Sequence, residues 1–493
     1  MRHDLALYRA DQVRALDREA ITGLGIDGYE LMQRAGQRVF QCIRARWPEA
    51  RSVTVCCGPG NNGGDGWVVA RLALAAGWQV QVLAARSPDA LEGAAKQAHL
   101  DYIKHPLVTP AVEWAGQDIQ GKVVVDALLG TGLTDAVAEP MSSMIERMNQ
   151  SPSPVVAVDL PSGLLADTGC AMGSVVEAAL TVTFIGLKRG LFTGKAGRYV
   201  GSLVFADLQL PDAVYASEDP DAELISFEGL ERALPQRLPD HHKGNSGRVL
   251  VVGGDDGMVG APILAGLAAL QTGAGWVELM GREALVNAAM AASPALMAQC
   301  ADDVPALSKK VQAANVVALG PGLGLSDWSE ALYATTMSEA KRLVLDADGL
   351  NWLAKAPSAR SEWILTPHPG EAARLLGTDV ASVEKDRFNA ARYLAKAHRA
   401  VVVLKGHGTL VADPEGRVSV CDRGTPAMAS AGMGDALTGV VASLWAQGMG
   451  AFDAAQYGVL IHAAAGEQAA QGKRQIVAPQ LVDCISQVMG LKD

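Results

Sequence analysis

Short β-branched runs alternate with Ala/Leu-rich helical stretches along most of the chain, and this alternation limits the fold more than any other feature. The first series is VTVCC (53–57), VQVL (80–83), VVVDALL (123–129), VVAVDL (155–160), LTVTF (180–184) and SLVFAD (202–207). Apolar runs of this length between helical patterns predict βαβ units and a parallel sheet buried on both faces. The pattern weakens near residue 212, where the acidic LPDAVYASEDPDAEL, with Pro211 and Pro220, reads as a linker. A second series follows: RVLVVGG (248–254), VVALG (316–320), RLVLDAD (342–348), WILTP (363–367) and VVVLKG (401–406), then a long Gly/Ala-rich helical stretch from Gly434. Two α/β domains are expected, over residues 1–212 and 236–493, joined by 213–235. Ahead of the first series, Tyr8 to Trp47 reads as helical, with Val13, Leu16 and Ala20 on helical spacing and a break at Gly23–Gly28.

Composition narrows the class. The 493 residues are 49% hydrophobic and 19% charged, which suits globular domains and not a disordered chain. A formal net charge of -11 argues against a general nucleic-acid partner, which would need a basic face. The seven cysteines form no CxxC pair and no zinc-spaced cluster, and Cys56-Cys57 reads as two small core residues. The charged start lacks a signal-peptide core, and Gly and polar residues interrupt every apolar stretch before about 18 positions. A soluble, cytoplasmic protein with no membrane partner is expected.

The nine residues Gly58 to Gly66, GPGNNGGDG, hold five glycines, two asparagines, one proline and one aspartate. In an open α/β sheet, ligands bind where strands end and helices begin. Glycines let a backbone approach a ligand, and a helix starting near Trp67 would aim its positive end at the same place. The spacing is neither G-x-G-x-x-G nor a Walker loop. Asn61, Asn62 and Asp65 add oxygen donors that suit a hard cation. Asp126 and Asp159 end two later strands, with Gly130-Thr131-Gly132 and Ser162-Gly163 close behind. Each aspartate alone could cap a turn; together at adjacent strand ends they predict one crevice.

GPGNNGGDG, VDALLGTG, DLPSG, GLKRGL (186–191) and LMQRAG (31–36) resemble the NAD(P)H-hydrate epimerase domain over residues 8–210. The resemblance implies a Rossmann-like α/β/α domain that interconverts the R and S forms of hydrated nicotinamide cofactors, NADHX and NADPHX. It implies a potassium ion (K+) held by Asn62, Asp126 and Ser162. It implies substrate along Asn61, Asn62, Gly63, Gly64 and Asp65 and along Gly130, Thr131 and Gly132 to Ala136, with Asp159 and Lys188 nearest the chemistry. A carboxylate near an ammonium can move the proton such a reaction needs. The competing reading makes Lys188 a plain surface lysine.

In the second series, AGMGDALTGVVASLWAQG (431–448) sets Gly432 and Gly434 around a turn with Asp435 opening a helix. Helix N-terminal amides can stabilise a transferring phosphoryl group, and Asp435 can accept a proton from an attacking hydroxyl; a simple N-cap aspartate is the competing reading. Lys405-Gly406-His407-Gly408-Thr409 can contact phosphates with ammonium, backbone and hydroxyl groups. His368 lies between two prolines, either in a site or as a structural histidine. With HKGNSG, LDADGLNWL, TPHPGE, LKGHGT and SAGMGD, residues 225–493 resemble the ribokinase-like ADP-dependent NAD(P)H-hydrate dehydratase. That resemblance implies Ala261, Gly322, His368 and Asp435 against the hydrate. It implies Lys405 to Thr409 and Gly434 against the nucleotide, with Mg2+ accompanying ADP. A homo-oligomer is expected. Two other readings compete: a small-molecule kinase fused to a Rossmann-like regulatory module, and a cofactor-sensing protein without catalysis.

Overall fold

The computed structural model describes residues 3–490. The chain divides into two compact units after Glu223. In the first, seven strands lie in the order β3-β2-β1-β4-β5-β6-β7. They are β1 Ser52–Cys57, β2 Gln79–Ala84, β3 Val112–Glu113, β4 Val123–Ala127, β5 Val155–Val158, β6 Leu180–Phe184 and β7 Ser202–Ala206. All pair in parallel. Every residue of β4, β5 and β6 is buried, as the unbroken apolar runs require of a sheet covered on both faces. The register sets Cys57 beside Ala127 and Asp126 beside Ala157. The turns at Gly58, Leu128 and Asp159 therefore leave the sheet at one edge.

The helix after β1 spans Asn61–Ala75, six residues earlier than the sequence suggested. Gly58 to Gly60 form the turn into it, and Asn61 to Gly66 are already helical and close-packed. A Cβ on Gly63 would lie 2.0 Å from the Gly58 carbonyl oxygen, one on Gly64 2.4 Å from Met32 Cε, and one on Gly66 2.7 Å from Ala127 Cβ. Glycine costs a helix about 1 kcal/mol per position, and here that cost admits neighbours no side chain would allow. The expected helical stretch from Tyr8 also differs. Ala6–Tyr8 is a strand, followed by helices Ala10–Arg18 and Gly28–Arg46 with the predicted break between them. Tyr8 pairs in parallel with Lys188.

The division at Glu223 falls inside the segment expected to be a linker. That segment holds helix Asp212–Tyr215, strand Ala222–Leu224 and helix Phe227–Ala233, with Val214, Tyr215 and Leu230 buried. Its acidic residues misled the sequence reading: Asp221 is buried and paired, its carboxylate 2.8 Å from Arg9 and 2.6 Å from Arg189.

In the second unit the order is β10-β9-β8-β11-β12-β13-β14-β15-β16. The strands are β8 Arg248–Val252, β9 Trp276–Gly281, β10 Met297–Cys300, β11 Val316–Leu319, β12 Leu343–Leu345, β13 Trp363–Leu365, β14 Val401–Leu404, β15 Thr409–Ala412 and β16 Val418–Cys421. Pairing is parallel up to β14 and antiparallel beyond it. The sequence reading missed β9, β10, β15 and β16. Helices Met433–Ala446 and Ala451–Ala470 are apolar nearly all round and form the core. No described helix is long and apolar enough to cross a membrane.

A glycine scan tests the close-packed turn. A Cβ at Gly58 would lie 1.9 Å from the Leu128 carbonyl oxygen, whereas one at Gly60 meets nothing within 4 Å. Gly58→Ala is expected to cost more than about 2 kcal/mol, and Gly60→Ala to stay within about 0.5 kcal/mol, by denaturant unfolding.

Candidate functional sites

At the C-terminal edge of the first sheet, Lys188 is 1% exposed, so the surface-lysine reading fails. Its ammonium pairs with Asp159 and donates to Thr183 Oγ1 at 3.1 Å and to the Phe184 carbonyl at 2.8 Å. Asp159 has a positive φ of 67°, a strained backbone state of the kind held at functional positions. Thr183 Oγ1 and the Phe184 amide also donate to its Oδ1, so donors crowd one carboxylate oxygen. The other, Oδ2, faces Gly130: a Cβ there would lie 3.6 Å from Asp159 Oδ2 and 3.7 Å from Asn62 Cγ. Gly130, Asn62 and Asp159 thus surround one small space. Asp65, one helical turn on, is partly buried. Burial first, then the charges of Asp159 and Asp17, raise its carboxyl well above the usual range.

Asp126 lies beside this space and is fully buried. Ser162 donates to it twice, from N at 2.8 Å and from Oγ at 2.6 Å, and the Leu128 amide adds a third bond at 3.2 Å. Burial pushes its carboxyl up to about 6 against the pull of these bonds. The Asn62 amide nitrogen is buried without a partner. A half-turn of that amide would place an oxygen there, the donor a cation needs. The Asp126–Ser162 pair, and Asn62 with its amide so turned, offer oxygen atoms of the kind a large monovalent cation takes.

In the second sheet, β11, β12, β13 and β14 end side by side. Buried Asp346 follows β12, accepting from Lys405 Nζ and Thr438 Oγ1, both at 2.8 Å. Burial opposes its charge, but the Lys405 ammonium and these bonds hold its carboxyl below the usual range. Lys405 also lies 3.8 Å from Glu371, whose carboxyl burial pushes up to about 7. His368 caps helix Pro369–Leu376: its Nδ1 accepts from the Gly370 amide at 2.9 Å, and its own amide donates to Glu371 at 2.7 Å. Its side chain is 52% exposed, which rules out a buried structural role. Gly434 sits over the lysine, where a Cβ would lie 3.3 Å from Lys405 Nζ. Asp435, next in the first turn of helix Met433–Ala446, is half-buried, and burial followed by the charge of Asp346 raises it to about 6. Gly320 to Gly322 turns beside Asp346, and a Cβ on Gly322 would lie 3.3 Å from Ala261 Cβ.

The profile of the YjeF-related protein N-terminus matches residues 28–190, and that of NAD(P)H-hydrate dehydratase matches 249–488. The bifunctional NAD(P)H-hydrate repair enzyme Nnr of Coxiella burnetii is 45% identical, over 96% of this chain and 97% of its own. That of Escherichia coli K12 is 41% identical, over 98% and 94%. The chain belongs to the bifunctional NAD(P)H-hydrate repair enzymes. A crystal structure of the Bacillus subtilis ADP/ATP-dependent NAD(P)H-hydrate dehydratase, co-crystallised with ATP/Mg2+, is 29% identical with a TM-score of 0.50, covering 54% of this chain and 97% of that one. The two units of this repair enzyme are thus an epimerase and a ribokinase-like dehydratase, and the kinase and sensor readings give way.

The sequence reading of this repair enzyme missed several groups. Asp17, on helix Ala10–Arg18, joins the field of Asp65, Asp159 and Lys188. Long-range contacts, among them the strand pairing of Tyr8 with Lys188, bring that helix here, so no local signal marked it. Arg14, one turn earlier, donates to the Thr131 carbonyl at 2.9 Å. His462 is buried with Nε2 2.9 Å from the Met433 carbonyl, behind the turn that carries Asp435, and burial pushes its ring down to about 4. Asp346 was visible inside LDADGLNWL but carried no assigned role. Gly132 faces open space. Cys56 and Cys57 are buried, with their thiols pushed up by burial.

Removing the carboxylate of buried Asp346 takes from Lys405 its nearest counter-charge. Asp346→Asn is expected to lower stability by about 3 kcal/mol, read as a fall in the second unit's melting transition by calorimetry.

Proposed function

We propose that Asp435 and the Lys188–Asp159 pair are the reacting groups of the two activities. In the dehydratase, Asp435 accepts the proton of the hydrate's hydroxyl. The freed oxygen attacks the terminal phosphoryl of ADP, and AMP leaves. The C–O bond of the phosphate ester then breaks as the ring nitrogen donates its electron pair. Phosphate departs, the ring loses a proton, and reduced nicotinamide is restored. Lys405 to Thr409 and Gly434 receive the nucleotide phosphates, and Ala261, Gly322 and His368 line the hydrate subsite. Mg2+ bound with the nucleotide would neutralise phosphate charge. One observation carries the assignment: Asp435 stands in the first turn of a helix whose Gly434 lies over a partly buried, charge-paired lysine.

In the epimerase we assign the substrate to Asn61 through Asp65 and to Gly130 through Gly132. The Lys188–Asp159 pair moves the proton as hydroxyl is lost and regained at the hydrated carbon. Asn62, Asp126 and Ser162 would hold potassium, which supplies fixed positive charge beside the substrate.

A mixture of hydrate epimers and ADP separates the roles, with return of reduced-nicotinamide absorbance as the signal. The full chain is expected to convert the whole mixture. Lys188→Met is expected to stop fast conversion at the S fraction. Asp435→Asn should slow dehydration by about 10²–10⁴-fold while R and S still interconvert. Full-speed conversion of the whole mixture by either variant would remove its residue from the role given.

The raised carboxyl of Asp435 fixes a pH dependence. Protonation removes the base, so kcat/KM for dehydration is expected to fall as pH drops through about 6. Glu371, which titrates at about 7 in the same pocket, is separated by Glu371→Gln, which should leave the limb near 6 in place.

A further inference from the structure

Arg387 is 1% exposed, and nothing in the reaction described above uses it. It is the first residue of helix Arg387–His398, which Asp386 caps by accepting from the Asn389 amide at 3.0 Å. From there its guanidinium reaches beneath the end of β14. Nη2 donates to the carbonyl of Leu404 at 3.2 Å and to that of Lys405 at 3.1 Å, while Nη1 pairs with Glu384 at 2.7 Å. The fit against the glycine loop is close. Gly406 has a φ of +137°, and a Cβ on it would lie 3.0 Å from Nη2 and 3.1 Å from Nη1. Glycine is thus demanded at 406 twice over, by backbone conformation and by the guanidinium. Burying a cation costs several kcal/mol before pairing. Glu384 offsets part of that cost, yet a neutral side chain could tie the helix to the strand without it.

We propose that Arg387 is a positioning residue for the nucleotide. Its Nη2 clamps the Leu404 and Lys405 carbonyls while Nη1 is held by Glu384, fixing the Lys405–Thr409 loop in its phosphate-receiving shape, and it sets a positive charge under that loop. The inference rests on reading residues 405–409 as the phosphate loop. An ammonium could keep the charge but not hold the two carbonyls and Glu384 from two separate nitrogens. A purely structural arginine would support every ligand of the second unit alike; one that serves phosphate separates ligands by charge.

The test uses the full chain and two probes, ADP and adenosine, with affinities measured by calorimetry and folding followed by the melting transition. Arg387→Met is expected to weaken ADP about tenfold or more, the scale of a lost charge-assisted contact, while adenosine changes less than about twofold. Arg387→Lys should fall between Met and wild type for ADP only. Equal losses for both probes, or wild-type ADP affinity in folded Arg387→Met, would overturn the proposal. If Arg387→Met does not melt cooperatively, Arg387→Lys decides: a selective loss of ADP supports the role, and wild-type affinity refutes it. His407→Ala and Thr409→Val test the loop reading separately. If neither alters ADP affinity while Arg387→Met does so selectively, the phosphate lies elsewhere, and the loop-clamping role fails with the loop assignment.

Discussion

Parallel strands that end in register are the constraint on which both sites depend. When neighbouring strands stop at the same level, the residues after them leave the sheet together, and the following helices point their amide ends at the same edge. In the first unit this brings Gly58, Leu128 and Asp159 side by side. In the second it brings Gly320, Asp346 and Lys405 side by side, with the Lys405 amide bonded to the Pro367 carbonyl at 2.9 Å. Turns can crowd so tightly only if some carry no side chain. Gly58, Gly63 and Gly320 therefore answer to backbone contact at the sheet edge.

The two sites share an electrostatic plan. Each has a buried carboxylate fixed by donors: Asp126 by Ser162 and Leu128, Asp346 by Lys405 and Thr438. Each has a less buried carboxylate whose proton is held more tightly than usual, Asp65 in one and Asp435 in the other. In the second site the carboxylate held charged, Asp346, adds to burial in acting on Asp435, whose proton is held more tightly, as acid–base chemistry near neutral pH requires. Asp126, itself raised to about 6, does not repeat that arrangement. The lysines differ. Lys188 serves a carboxylate that still offers one oxygen to the open space, whereas Lys405 lies among Asp346, Glu371 and Asp435 and gains charge from all three.

Much of this was legible in the sequence because it is local. The apolar runs marked most of the buried parallel strands, and the motifs marked the residues at their ends. Asn62, Asp126, Asp159 and Ser162 fall at strand ends that only a parallel sheet can gather. What escaped was non-local or weakly patterned. Strands β9 and β10 carry mixed sequences, WVELMG and MAQC, and β10 stays largely exposed at the sheet edge. Within the segment 213–235, the burial of Asp221 escaped because the arginines that meet it, Arg9 and Arg189, lie far away in the chain. The glycine stretch looked like a loop because helix propensity cannot register that a Cβ has nowhere to go.

The sequence by itself determined the two α/β units, their family and the residue types at each strand end, since these follow from short-range periodicity and contiguous motifs. Only the tertiary structure decided that Lys188 is sealed against Asp159, that Asp17 stands in the same field, and that Arg387 lies under Gly406. Those facts depend on elements far apart in the chain, and burial and charge pairing arise only once packing has excluded water between them.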